Sequence, residues 1–179
     1  MNFNYFKNFI NIMRLNLLLA ITIALFGMMI TSCGSDTESE SFDYSFSEAY
    51  EADPATSAHP SDLDATLTVE ELEDGGSMIT VELTNTIDGE TYNIHAHDAA
   101  DPATTPNGTP YNETPNAAVF ANQLVGNGGT VSVSQETALS FTEVTTTYDA
   151  FFVVHDPLQA INTADISTYL IVGSFAREQ

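Results

Sequence analysis

From Ala65 onward apolar residues recur at every second position, the period that sends alternate side chains to opposite faces of a β-strand. Ala65, Leu67 and Val69 alternate with Thr66, Thr68 and Glu70, and Ile79, Val81 and Leu83 alternate with Thr80, Glu82 and Thr84. Asp74-Gly75-Gly76 separates the two runs, and glycine's tolerance of positive φ makes that triplet a hairpin signal. Asp88-Gly89 marks the next reversal. Beyond it Tyr92, Ile94 and Ala96 form an apolar row opposite Asn93, His95 and His97, so both histidines are expected to face away from the core. Val131 and Val133 follow an Asn127-Gly128-Gly129 turn, Leu139 and Phe141 predict a further short piece, Ala150–His155 is nearly all apolar, and residues 168–176 close the chain. Helical periodicity is largely missing. Seven or eight short strands with turn signals between them predict an all-β fold, an antiparallel Greek-key sandwich or barrel.

The first thirty-three residues read differently. Lys7 and Arg14 precede an uncharged apolar run over residues 15–30, which ends in Ile30-Thr31-Ser32-Cys33. A basic segment, an apolar segment and small residues at the end describe a secretory signal. The run is also shorter than the roughly 20 apolar residues a membrane-spanning helix requires. Ile30-Thr31-Ser32-Cys33 resembles the lipobox of bacterial lipoproteins. That resemblance implies a signal peptide over residues 1–32, diacylglycerol on the Cys33 sulfur, and a protein anchored in the cell envelope, at the outer membrane or cell surface. Cys33 is the only cysteine, so the exported part has no internal disulfide. The following Ser/Thr/acid stretch is too polar to pack. It predicts a flexible acidic tether over residues 33–60 and a folded domain over 61–179, with the punctuation around Pro60 as the boundary. Within the tether, Phe42, Tyr44 and Phe46 offer an early strand.

Removing the signal leaves Arg177 as the one Lys or Arg against 25 acids, a formal charge of −24. Such a field repels nucleic acid and attracts cations, metal ions included. The length after cleavage suits one domain and a tether. Residues 102–116 form a long Pro/Asn/Thr/Gly stretch without period, and long loops in small domains are functional or mobile. No Gly-x-Ser-x-Gly elbow, phosphate loop, His-Glu-x-x-His helix or Cys-x-x-Cys pair occurs. Asp98, Asp101 and Asp156 carry little specificity as a carboxylate site in so acidic a chain.

The chemistry concentrates in His95-x-His97 and His155. Two residues apart on a strand share a face about 7 Å apart, so one ion can reach both imidazoles, and His155 joins them from the end of another strand. Three imidazoles with an open position suit copper or zinc in a reactive rather than purely structural site. Either ring set could equally belong to ordinary polar or terminal positions of strands.

The stretch Gly89-Glu90-Thr91-Tyr92-Asn93-Ile94-His95-Ala96-His97-Asp98 resembles the His-x-His-acid strand of the copper-zinc superoxide dismutases. Val153-Val154-His155-Asp156 is similar to that family's Val-Val-His-acid segment, and Gly108-Thr109-Pro110-Tyr111-Asn112 to its Gly-x-His-aromatic-Asn loop. Val125-Gly126-Asn127 and Leu170-Ile171-Val172-Gly173 resemble its Leu-Gly-Asn turn and final strand. The resemblance implies a Greek-key barrel in which His95, His97 and His155 bind copper. It also shows departures: Pro110 stands where the metal-bridging histidine would be, no zinc-site histidine or cysteine pair exists, and the guiding arginine falls near Thr168. Metal binding or buffering is therefore expected over fast dismutation, with His59, Asp98, Met78 or water as fourth ligand. The alternatives are a divergent copper-only dismutase, or a metal-free scaffold similar to the chordin-type domains of surface proteins.

Overall fold

The computed structural model describes residues 37–46, 58–105, 108–163, 165 and 168–178. The expected signal peptide and Cys33 lie outside the described residues. Eight strands carry the fold: β1 (Ser39–Ser45), β2 (Asp64–Glu71), β3 (Ser77–Thr84), β4 (Thr91–Asp98), β5 (Ala121–Val125), β6 (Val131–Thr137), β7 (Ala150–His155) and β8 (Tyr169–Ser174). They form two antiparallel four-stranded sheets, ordered β1-β2-β3-β6 and β5-β4-β7-β8. The expected all-β sandwich is what forms.

The period-two rows explain why the sheets face one another. Leu67 pairs with Val81 and Val69 with Ile79 across β2 and β3, and this row is buried against Tyr92, Ile94, Phe152 and Val154 of the second sheet in one core cluster. On the other face of the first sheet, hydroxyls line up strand by strand. Ser41 opposes Thr68, Thr68 opposes Thr80, and Thr80 opposes Ser134. Hydrogen bonds of 2.9 Å between Ser41 and Thr68 and 2.8 Å between Thr80 and Ser134 tie the row. This face is polar because it is the one left to solvent.

The folded unit begins earlier than residue 61. Ser39–Ser45, expected within the tether, pairs along its whole length with β2. Its composition is that of a solvated segment, but its aromatic residues sit two apart, and period outweighs composition here. Phe42 and Tyr44 enter the core, while Ser41 and Asp43 stay outside. The Tyr44 hydroxyl donates to the Ser174 carbonyl (2.8 Å) and accepts from the Ala176 amide (3.0 Å), closing β1 onto the end of β8.

Leu139 and Phe141 do not form a strand. Ser140 bonds the Glu143 carboxylate through its amide (2.9 Å) and hydroxyl (2.8 Å), and the chain coils into a π-type turn, Glu143–Thr147, that buries Val144. Two alternating apolar residues are too few to hold a ladder against such a local cap. Arg177 fastens the same end, donating to the carbonyls of Val144 (2.8 Å), Tyr148 (2.9 Å) and Ala176 (2.7 Å). At the opposite connections Gly126 is required: a Cβ there would lie 2.2 Å from the Ile87 carbonyl oxygen, where the β3–β4 and β5–β6 connections cross.

Tyr44→Phe tests the place of β1. It orphans the buried Ala176 amide, and an unsatisfied buried donor costs about 1–3 kcal/mol. Urea unfolding is expected to show that loss at unchanged m-value. A midpoint equal to the wild type would put Ser39–Ser45 outside the cooperative unit.

Candidate metal centre

β4 lies between β5 and β7 in its sheet, and both its faces are covered. Tyr92, Ile94 and Ala96 point into the sandwich, while His95 and His97 point to the outer face of the sheet. In register with β7, His95 pairs with Val153 and His97 with Phe151. His155 is two residues along β7 from Val153, so it sits diagonally across from His95 on the same face, within reach of a long or aromatic side chain. A bulge in β8 between the partners of Val154 and His155 brings Tyr169 to that face as well, leaving Leu170 and Ile171 in the core.

The three rings meet. Centroids lie 5.6 Å apart for His95 and His97, 5.2 Å for His95 and His155, and 6.4 Å for His97 and His155. One ring nitrogen from each falls within 4.8 Å of the other two. Bonds of roughly 2.1 Å to one ion place such nitrogens about 3.4 Å apart in a tetrahedron, so small ring rotations complete the approach. His95 Nδ1, His97 Nε2 and His155 Nδ1 are buried and have no hydrogen-bond partner in the protein. For His97 the reason is visible: Nδ1 donates to the Asn112 carbonyl (2.8 Å), which fixes the tautomer and turns the Nε2 lone pair inward.

The 102–116 loop supplies that carbonyl and roofs the face. Ala99 bridges to Tyr111, the Ala100 amide bonds the Pro110 carbonyl (2.8 Å), the Asn112 amide bonds the Asp98 carbonyl (2.8 Å), and the Asn116 amide bonds the Ala96 carbonyl (2.7 Å). Tyr111 is thereby buried, its ring 5.4 Å from that of His97. Tyr169 stands edge-on to His155 at 4.4 Å. Aromatic rings and Val153 and Val172 thus surround the imidazoles, with His95 alone partly exposed.

Burial, aided by mutual repulsion, keeps the rings neutral. His155 is pushed down to about 3, by burial first and then by His95 and His97. His95 is pushed down to about 4 by burial and then by His97. Burial lowers His97 too, against the pull of the Asn112 hydrogen bond and of Glu113 and Asp98. Neutral imidazole is the metal-binding form, so protons do not compete with an ion until the solution is well acid.

The other sequence candidates lie elsewhere. His59 is buried with Nε2 2.7 Å from the Tyr92 hydroxyl and Nδ1 2.7 Å from the Pro60 carbonyl, on the core side of β4, so it is no fourth ligand. Asp98 alternates to the same side and accepts from Asn116 Nδ2 (2.8 Å) and the Tyr148 hydroxyl (2.7 Å). Met78 belongs to β3 in the other sheet. Asp156 caps its own loop through the Leu158 amide (2.9 Å) and Gln159 Nε2 (2.7 Å), and Asp101 does the same through the Ala103 amide (2.9 Å). Among the described residues, the histidine trio is the one group of three such side chains close enough to share an ion. Two neighbours carried no sequence signal. Tyr169 faces the site only because of the β8 bulge, and Glu113 only because the loop folds back. No protein-family model matches the chain, and no curated protein matches it.

The depressed histidines give a pH signature in the metal-free protein. Their folded values lie below the unfolded value of about 6.5, so below that pH the unfolded chain takes up protons that the folded chain does not. Stability is expected to be intact above pH 6.5 and to fall on acidification toward pH 4, by about 1.4 kcal/mol per pH unit for each responding histidine. Denaturation midpoints of wild type and His155→Gln between pH 7.5 and 4.5 check this. The variant is expected to fall less steeply, and parallel curves would contradict it.

Proposed function

We propose that this chain is a lipid-anchored metal-binding protein of the cell envelope, whose sandwich binds one copper ion through His95, His97 and His155. The observation that carries the reading is the trio of buried, inward-directed ring nitrogens without protein partners. Buried polar atoms are nearly always satisfied, and three unpaired acceptors converging on one point, with no competing donor, have the chemistry of a cation site. Imidazole ligation suits copper and zinc alike, and copper stands above zinc in intrinsic divalent affinity. Zinc is the natural competitor, since structural zinc takes four protein ligands and catalytic zinc three.

Binding or buffering suits the surroundings better than turnover. The described residues hold no second cluster for a partner ion, and Arg177, the one arginine among them, is engaged with backbone carbonyls at the Val144 turn. An anionic substrate would approach against a strongly negative field. The likeness to the copper half of the copper-zinc superoxide dismutases supports the ligand assignment, and the unpaired nitrogens weigh against a metal-free scaffold of the chordin type. The anchor rests on the signal-like N-terminus and the position of Cys33.

Two measurements test the proposal. The purified protein is expected to take up one equivalent of copper and gain thermal stability, with His97→Ala and His155→Ala each weakening binding at least a hundredfold. Equal copper content in wild type and variants would remove the site, while superoxide removal above a copper-free control would restore the dismutase reading. Separately, fatty-acid labelling in a producing bacterium is expected to mark the wild type and not Cys33→Ser. Equal labelling of both would end the anchor reading.

A further inference from the structure

The imidazole trio is covered unevenly. The roofing loop lays Tyr111 against His97, Tyr169 stands edge-on to His155, and Val153, in register with His95 on the β7 side, is buried. The remaining side faces β5, the edge strand of the sheet. There His95 is in register with Ala121, and directly opposed side chains on one face stand about 5 Å apart. A methyl group is thus what β5 sets beside the one partly exposed ring. Next along the same face come Asn93 and Gln123, in register with each other and joined by a 2.9 Å hydrogen bond from Gln123 Nε2 to Asn93 Oδ1. Gln123 is exposed, and Asn93 and Ala121 are partly so.

This edge is held in place. The Ala121 amide donates to Gln135 Oε1 at 3.0 Å, Asn122 Nδ2 donates to the same oxygen at 2.8 Å, and Gln135 Nε2 donates to the Ala117 carbonyl at 2.9 Å. β5 is thereby tied to β6 at the level of His95, so the size of the side chain at 121 sets the width of the gap. Among the described residues the group of ligating side chains stops at three, and an ion with three protein ligands keeps an open position. A donor that delivers or takes the ion has to reach that position before an imidazole lets go. Tyr111 and Tyr169 block the other approaches.

Resting on the copper reading above, we propose that the open position faces β5 and that Ala121 is the entrance to the centre, over which a donor from outside delivers or removes the ion. Ala121 is a gating residue. Its size governs how fast copper exchanges and not how tightly it is held, because a change there leaves the three nitrogens in place. The acidic field around the domain favours neutral or cationic carriers at this entrance over anionic ones.

The test follows transfer of Cu(II) from the loaded full chain to the tripeptide glycyl-glycyl-histidine by visible absorption, with the equilibrium dissociation constant measured alongside. Wild type is compared with Ala121→Val, Ala121→Ile and Val125→Ile. Ala121→Ile is expected to slow transfer about tenfold, equivalent to roughly 1.4 kcal/mol of barrier, at an unchanged dissociation constant, and Ala121→Val to fall between it and wild type. Val125 lies on the same strand and face, further from His95 and 60% exposed, so Val125→Ile is expected to exchange like wild type. β-Branched residues suit strands, and the metal-free variants are expected to melt no lower than wild type. If Ala121→Ile does melt lower, Ala121→Val decides by the same criteria. Unchanged transfer, equal slowing in Val125→Ile, or a change in rate matched by a change in affinity would each overturn the proposal while leaving the histidine site standing. A wild type that binds no copper would overturn the metal reading and this one together.

Discussion

The outer face of the β5-β4-β7-β8 sheet carries three ring nitrogens that the protein itself does not satisfy, and much of the surrounding structure is arranged around that fact. Each such nitrogen costs about 1–3 kcal/mol, in a kind of domain whose whole margin is about 5–15 kcal/mol. The cost is tolerable only because the rings remain neutral, which burial enforces, and because the remainder of β4 and β7 is packed on the core side. Tyr92, Ile94 and Ala96 anchor one strand, and Phe152 and Val154 the other. A strand that is buried on both faces cannot slip by one residue, because a slip would drive imidazoles into the core and Ile94 under the loop. Register and site are therefore the same constraint seen from two sides.

Both the rigid and the adjustable parts of the centre follow from this. His97 is locked by a backbone carbonyl, and His155 is wedged against Tyr169. His95 makes no hydrogen bond through its buried Nδ1 and is the most exposed of the three rings, so it has the most freedom to adjust toward the other two. A site assembled this way would need little rearrangement to take an ion, which would keep the ordering cost of binding small.

Much of this was legible in the residues, because strand periodicity is a local property. The two faces of β4, with His95 and His97 on one of them, the hairpin at Gly75 and the reversal at Gly89 follow from counting by twos and from the turns between, whereas His155 joins them through the β4–β7 pairing. The failures share a cause. The polarity of Ser39–Ser45 points to a tether while Phe42, Tyr44 and Phe46 keep the strand period, and the partner that decides between them, β2, lies further along the chain. Leu139 and Phe141 have the right spacing, but a local Ser140–Glu143 cap captures the backbone. His59, Asp98 and Met78 were proposed by chemistry without a face assigned; the alternation of β4 puts Asp98 opposite His97, and His59 packs on Tyr92 under the core side. Glu113 and Tyr169 could not be found at all from spacing, since a loop closure and a bulge bring them in.

The early start of the sandwich also bears on where the centre would sit under the lipid-anchor reading. With β1 beginning at Ser39, only a handful of residues separates the fold from Cys33, against nearly thirty if the tether ran to residue 60. At about 3.5 Å per residue, that reach is on the order of 20 Å. On that reading, a body of this charge held near anionic headgroups would be pushed outward at distances within the Debye length of about 8 Å. The same acidic field would concentrate cations around the domain. On that reading an anchored, strongly acidic sandwich with a neutral trio of imidazoles would separate two tasks: exposed carboxylates would gather ions loosely and without selection, and the buried rings would retain those that prefer nitrogen over oxygen.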